Sequence, residues 1–239
     1  ARLTLLLPSA RAQRIVTEAF VRLSGGGMLL PRMALVGDLD LDETLGPLLD
    51  PLGAGSEVPP AADPTRRWLR LAELLRREMG DQAPKTPALL RLAFDMGRTL
   101  DRLAVEGIAL GDLLDQRVAG IVGDLAEHWR ASTRLFARVQ VFWLAELEQR
   151  GEVDAPVRRN LLFERAARRW RETPPDLPIV AAGVTSASPA LAAMLRALGV
   201  PAVLGVAGLS AAALDGDTII VDGSAGTVVL HPTAATLAE

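Results

Sequence analysis

The same local pattern occurs near both ends of this chain: an apolar run, a turn of small residues, then a capped helix. LTLLLPSARAQRIVTEAF, starting at Leu3, breaks at Pro8-Ser9 and continues as an amphipathic segment with Ile15, Ala19 and Leu23 on one face and Ser9 as its expected N-cap. IVAAGVTSASPALAAMLRALGV, starting at Ile179, repeats the pattern, with Ser188 as cap and Pro189 at the first helical position. Strand–turn–helix units of this kind start α/β domains. After the first unit come a Gly25-Gly26-Gly27 turn, a second apolar run from Met28 to Val36 containing Pro31, and acidic GDLDLDE. Residues 46–65, with Pro47, Pro51, Pro59, Pro60 and Pro64, read as an irregular connection. Apolar residues then recur at helical spacing over about 65–80, 86–105, 109–116, 118–150 and 156–172. Trp129, Phe136 and Trp143 recur at sevens and share a face, Gly151 stops that helix, and Pro174-Pro175 ends the block. DTIIVDGSAGTVVL closes the chain as two β-branched runs around a Gly-bearing turn, a hairpin signal. That hairpin is expected to pack on the second unit and complete its sheet. The expected class is α/β, with a first unit over 1–60, an all-helical insertion over 61–175, and a second unit with a β tail over 176–239.

Composition narrows the chemistry. The chain has no Cys, which removes disulfides, thiolate metal sites and cysteine nucleophiles, and its two His, His128 and His231, lie far apart. Beyond Gly183 there is one base, Arg196, against Asp215, Asp217, Asp222 and Glu239, so the tail carries the whole net charge of −3 and the body is neutral. Neither part is a basic nucleic-acid module by net charge. No apolar run reaches the roughly 18 residues of a membrane span, and the opening apolar stretch is too short for a signal peptide. The expected location is the cytoplasm, away from membranes, with the chain beginning inside a longer parent.

Four groups of residues invite chemistry. A phosphate-cradling loop needs Gly followed by Lys-Ser/Thr at a helix start, but Lys85-Thr86 sits between Pro84 and Pro87 with no Gly before it. ATP hydrolysis is not expected. Asp38, Asp40 and Asp42 alternate along GDLDLDE, yet Glu43 stands where a calcium loop needs Gly and Leu49 where it needs the closing Glu. A solvated acidic loop is the expectation, without a metal. VRRNLLFERAARRWRE sets Arg158, Arg165 and Arg169 along one stripe, with Arg159 and Arg168 beside it and Trp170 nearby. Such a row neutralises phosphates, and an aromatic neighbour stacks on bases. The competing reading is a solvated face offset by Glu164 and Glu172 with Leu161, Leu162 and Phe163 buried, and the same two readings apply to Arg66, Arg67, Arg70, Arg76 and Arg77. His128 reads as a packed or surface histidine rather than a ligand.

The order of several motifs resembles a family. LTLLLPSARAQRIVTEAFVRLSGGGMLLPRMALVGDLD, then Asp63-Pro64-Thr65-Arg66-Arg67, LAEHWRASTRLFARV and GEVDAPVRRNLLFERAARRWRETPPDLPIVAAGVTSASPA, resemble the N-terminal region of AddB over about residues 2–192. AddB is the non-translocating subunit of the AddAB helicase–nuclease of bacterial double-strand break repair. The resemblance implies a partial RecA-like (P-loop NTPase-like) sheet with a large helical insertion, no working phosphate loop, no cofactor, and a scaffold that binds DNA or an AddA-like partner subunit. Nuclease motifs and iron–sulfur cysteines of that family lie far downstream, so no cleavage is expected. ALGVPAVLGVAG and LDGDTIIVDGSAGTVVLHPTAATLAE, about 197–239, are instead similar to the end of the phosphohistidine (swivelling) domain of PEP-utilising enzymes such as Enzyme I. A Thr-Ser-His motif carries the phosphoryl group there. This chain has Thr185-Ser186-Ala187, and alignment from Leu198 puts Ala190 at the His position, so the alternative reading is a mobile domain that lost its phosphorylatable His.

Overall fold

The computed structural model describes residues 3–25, 27–37, 58–109, 112, 126–175, 178–184, 187–199, 212–214, 217–222, 225 and 227–238. The chain divides into two compact units, Ala1–Gly55 with Leu161–Glu239, and Ser56–Asn160. Acidic GDLDLDE from Asp38 onward, most of the Pro-rich connection and the helix expected at 109–116 lie outside the described residues, apart from 109 and 112.

The first unit is built on a parallel sheet. β1 (Thr4–Leu7) lies between β2 (Arg32–Leu35) and β3 (Ile179–Ala181), giving the order β2-β1-β3. Thr4 pairs with Arg32 on one side and with Ile179 on the other. All four residues of β1 are buried, so the uninterrupted Leu run is what a central parallel strand with both faces covered requires. Parallel neighbours need a crossover, and α1 (Ala10–Ser24) supplies it between β1 and β2, capped by Ser9 and stopped at Gly25. After β3, α6 (Pro189–Ala197) starts at the expected Ser188 cap and buries Ala190, Leu191, Met194 and Leu195. β4 (Ile219–Asp222) and β5 (Thr227–Leu230) form the expected hairpin, followed by the short α7 (Ala234–Ala238). The expectation that this hairpin completes the first sheet is corrected: β4 and β5 pair with each other in a two-stranded antiparallel sheet of their own, so their ladder hydrogen bonds are made within the hairpin.

The second unit is helical. Asp63 accepts the Arg66 amide at 2.7 Å and Pro64 follows, starting α2 (Pro64–Met79), which passes through a short 3-10 turn at Gly80–Gln82. α3 (Thr86–Glu106) buries Leu89, Ala93, Met96 and Leu100 and ends at Gly107. Their spacing of four, three and four makes one stripe, which meets Leu71, Leu74 and Leu75 of α2. α4 (Ala126–Arg150) adds Val139, Trp143 and Leu147, one per turn, so the aromatic face expected around Trp143 is a core face. Gly97 leaves room on α3 for Leu71, whose Cδ1 would meet an added Cβ at 3.6 Å. α5 (Ala155–Glu172) begins in this unit and continues into the first. Backbone bonds from Ala62 N to the Val153 carbonyl and from Val153 N to the Pro60 carbonyl tie the segment before α2 to the one after α4.

Leu75 is fully buried among these helices. Leu75→Ala is expected to destabilise the helical unit by about 2–5 kcal/mol, read from urea unfolding followed by circular dichroism.

Candidate functional site

In open α/β sheets ligands bind outside the carboxyl ends of the strands, so that edge is the first place to look. Three chain exits converge there on Pro8. β1 leaves through Pro8-Ser9, and the Ser9 hydroxyl already accepts the Ala12 amide at 3.3 Å. β2 leaves through Val36, whose amide donates to the Leu7 carbonyl at 2.8 Å, and then Gly37. A Cβ on Gly37 would lie 2.0 Å from the Pro8 carbonyl oxygen, so only glycine passes at this point. β3 leaves through Ala182, bonded to the Leu6 carbonyl at 2.9 Å, and Gly183, which lies against the Pro8 ring. The β1–α1 connection is thus two residues long and packed against by backbone, with no Gly-rich loop or Lys to receive a phosphate.

The arginines expected to bind phosphate lie on α5 in contrasting surroundings. Arg158 Nε donates to the Pro59 carbonyl at 3.0 Å, and burial pulls its pKa down. Arg159 is only 6 % exposed; burial lowers its pKa too, with Glu106 acting in opposition. Arg165 and Arg169 are half-buried, and Arg168 is exposed. The helix therefore turns Arg159 inward and leaves Arg168 the most open of the set.

The arginines of α2 are engaged with carboxylates. Arg66 pairs with Glu152, and Arg70 grips Glu146 through Nε and Nη2 while its Nη1 reaches Glu73 at 2.6 Å. Arg67 lies between two aspartates, with Nη1 2.8 Å from Asp101 and Nε 2.8 Å from Asp154. The Trp143 indole donates to Asp154 at 2.9 Å. A cleft of about 460 Å³ opens beside Trp143, lined by Arg66, Arg70, Glu146, Gln149 and Arg150. Sequence reasoning did not find this ionic cluster. Its trace is there to read: Arg67 sits four residues before Leu71, and Asp101 beside Leu100, each bordering an apolar stripe where a charge needs a partner.

Asp38, Asp40, Asp42, Thr185 and Ser186 lie outside the described residues, as do the side chains of His128 and Trp129. Among the described residues no His, Cys, Asp or Glu group is arranged to hold a metal, and no helix is long and apolar enough to cross a membrane.

Residues 179–226 match the family model of the PEP-utilising enzyme mobile domain. That stretch, about a fifth of the chain, runs from β3 through α6 to β4 and beyond. No curated protein and no solved structure matches the chain. The matched stretch contains no His; Ala190 is buried in the first turn of α6, behind a Ser188 hydroxyl that accepts the Leu191 amide at 3.4 Å. His231 follows the hairpin with a positive φ of 52°, its Nδ1 3.6 Å from Asp217.

Two outcomes follow from this geometry. Gly37→Ala is expected to displace the β2 exit from Pro8 and lower the thermal midpoint of the sheet unit, seen as earlier loss of the α1 amides in hydrogen exchange. The Arg70 contact holds the Glu146 carboxyl below its ordinary 4.5, so that pair stabilises the fold above that pH and the contribution disappears as pH falls through the lowered value. Glu146→Gln is therefore expected to lower the urea midpoint at neutral pH and to leave it unchanged in strong acid.

Proposed function

We propose that this chain is a non-catalytic binding scaffold of the AddB type, acting in DNA double-strand break repair by binding DNA or a partner subunit. The observation that carries the reading is the closed carboxyl edge of the sheet. Among the described residues, a two-residue Pro8-Ser9 connection with Gly37 packed on its carbonyl offers no cradle for a nucleotide phosphate, although strand order and crossover suit an α/β nucleotide-binding unit. A helical unit placed in sequence between β2 and β3 also suits the AddB-like organisation. On this reading the working surface is the part of α5 bearing Arg165, Arg168 and Arg169.

A second reading is favoured by the family match over residues 179–226: a mobile-domain segment kept for docking, without the phosphoryl-carrying His. The placement of β3 beside β1, and not beside β4, counts for the scaffold reading.

Fluorescence anisotropy on a duplex with a single-stranded end tests the first. Binding is expected to weaken steeply with salt, and Arg165→Glu with Arg169→Glu to reduce the log–log salt slope by about one for each arginine that neutralises a phosphate. Absence of binding at low salt sinks the scaffold reading as a DNA-binding one. Incubation with labelled PEP and histidine carrier proteins is expected to leave the chain unlabelled; an acid-labile label would overturn the non-catalytic assignment of the tail.

A further inference from the structure

We infer that Asp101 is a proton-uptake site built into the helical unit: with its carboxyl protonated, α3 is held to α2 and to the α4–α5 turn by a charge-balanced cluster, and without that proton the cluster carries one negative charge in excess. The geometry sets the imbalance. A single guanidinium, Arg67, serves two carboxylates, and the three side chains are 13 % (Arg67), 19 % (Asp101) and 11 % (Asp154) exposed. One positive charge cannot neutralise two negative ones, and water is largely kept from making up the difference.

The two aspartates are not equally served. Asp154 has Arg67 Nε 2.8 Å away as an ion pair without good hydrogen-bond geometry, and it accepts hydrogen bonds from Arg67 Nη2 at 3.5 Å and the Trp143 indole at 2.9 Å. Asp101 has only Arg67 Nη1, at 2.8 Å, and among the described residues no hydrogen bond of good geometry reaches its Oδ1. Among the described residues the other elements bring no further cation to it. α4 presents the neutral Trp143 indole, while α5 directs Arg158 to the Pro59 carbonyl and Arg159 towards Glu106. On α3 itself the buried neighbours are Leu100 and Gly97. The surplus charge therefore falls on Asp101, the member whose deprotonated form has least support.

Burial raises the Asp101 pKa above its ordinary 3.8; Arg67 opposes that rise and the charge on Asp154 adds to it. A carboxyl raised in the folded state binds its proton more tightly there than in the unfolded chain. Its linkage thus favours the fold increasingly as pH falls through the raised value, and that gain is absent at higher pH. Most carboxylates in ion pairs, Glu146 among them, act in the opposite sense.

Carboxyl-detected carbon NMR on the full chain, with Asp101→Asn for assignment, is the direct test. The Asp101 carboxyl is expected to titrate above 3.8, and a midpoint at or below that value overturns the proposal. Urea unfolding across the acid range gives a second reading. The wild-type midpoint is expected to rise relative to Asp101→Asn as pH falls from neutrality, while a difference that stays constant or reverses overturns it. Asp154→Asn removes the competing charge and is expected to move the Asp101 titration downward; no movement overturns the claim that the two carboxylates share one cation.

Discussion

Parallel pairing of β1 with both β2 and β3 is the constraint on which the first unit rests. A parallel neighbour cannot be reached by a tight turn, and the two neighbours of β1 are reached very differently. β2 follows one helix later, whereas β3 returns only after the whole helical unit has been made. Closing so long a loop costs entropy, although the cost grows slowly with length. Burial of the β1 Leu run on both faces, with hydrogen bonds along both edges, offsets it. With β1 held in this way, β2 and β3 leave the sheet against Pro8, and α6 leaves from the β3 side.

The helical unit is held together by a different principle. Its apolar stripes would be satisfied by several small rotations of α2 against α3, since hydrophobic contact is not directional. The ionic contacts are directional. Arg67 reaches across to Asp101 and Asp154, Arg70 to Glu146, and the Trp143 indole to Asp154, so helix rotation is tied to particular atoms. Buried ion pairs such as those of Arg67 contribute little net stability for the solvation they give up. The imbalance of charge around Arg67 comes with that arrangement.

The segment matching the PEP-utilising mobile domain supplies β3, α6 and β4, but β3 belongs to the parallel sheet and β4 to the hairpin. It contributes strands and a capped helix in whose first turn Ala190 is buried. Among the described residues at the carboxyl edge of the sheet, Gly37 and Gly183 pack against Pro8.

Much of the local structure was legible in the residues alone. Ser9 and Ser188 announce helix starts by their side-chain oxygens, Gly151 announces an end, and the seven-residue recurrence that includes Phe136 and Trp143 marks a shared face. These signals act over a few residues, which is why a sequence carries them. Strand partners, the inward turn of Arg159 and the union of Arg67, Asp101, Asp154 and Trp143 were not legible. Each depends on segments far apart in the chain arriving at the same place. Local pattern decides which elements form; only packing decides which of their charges meet.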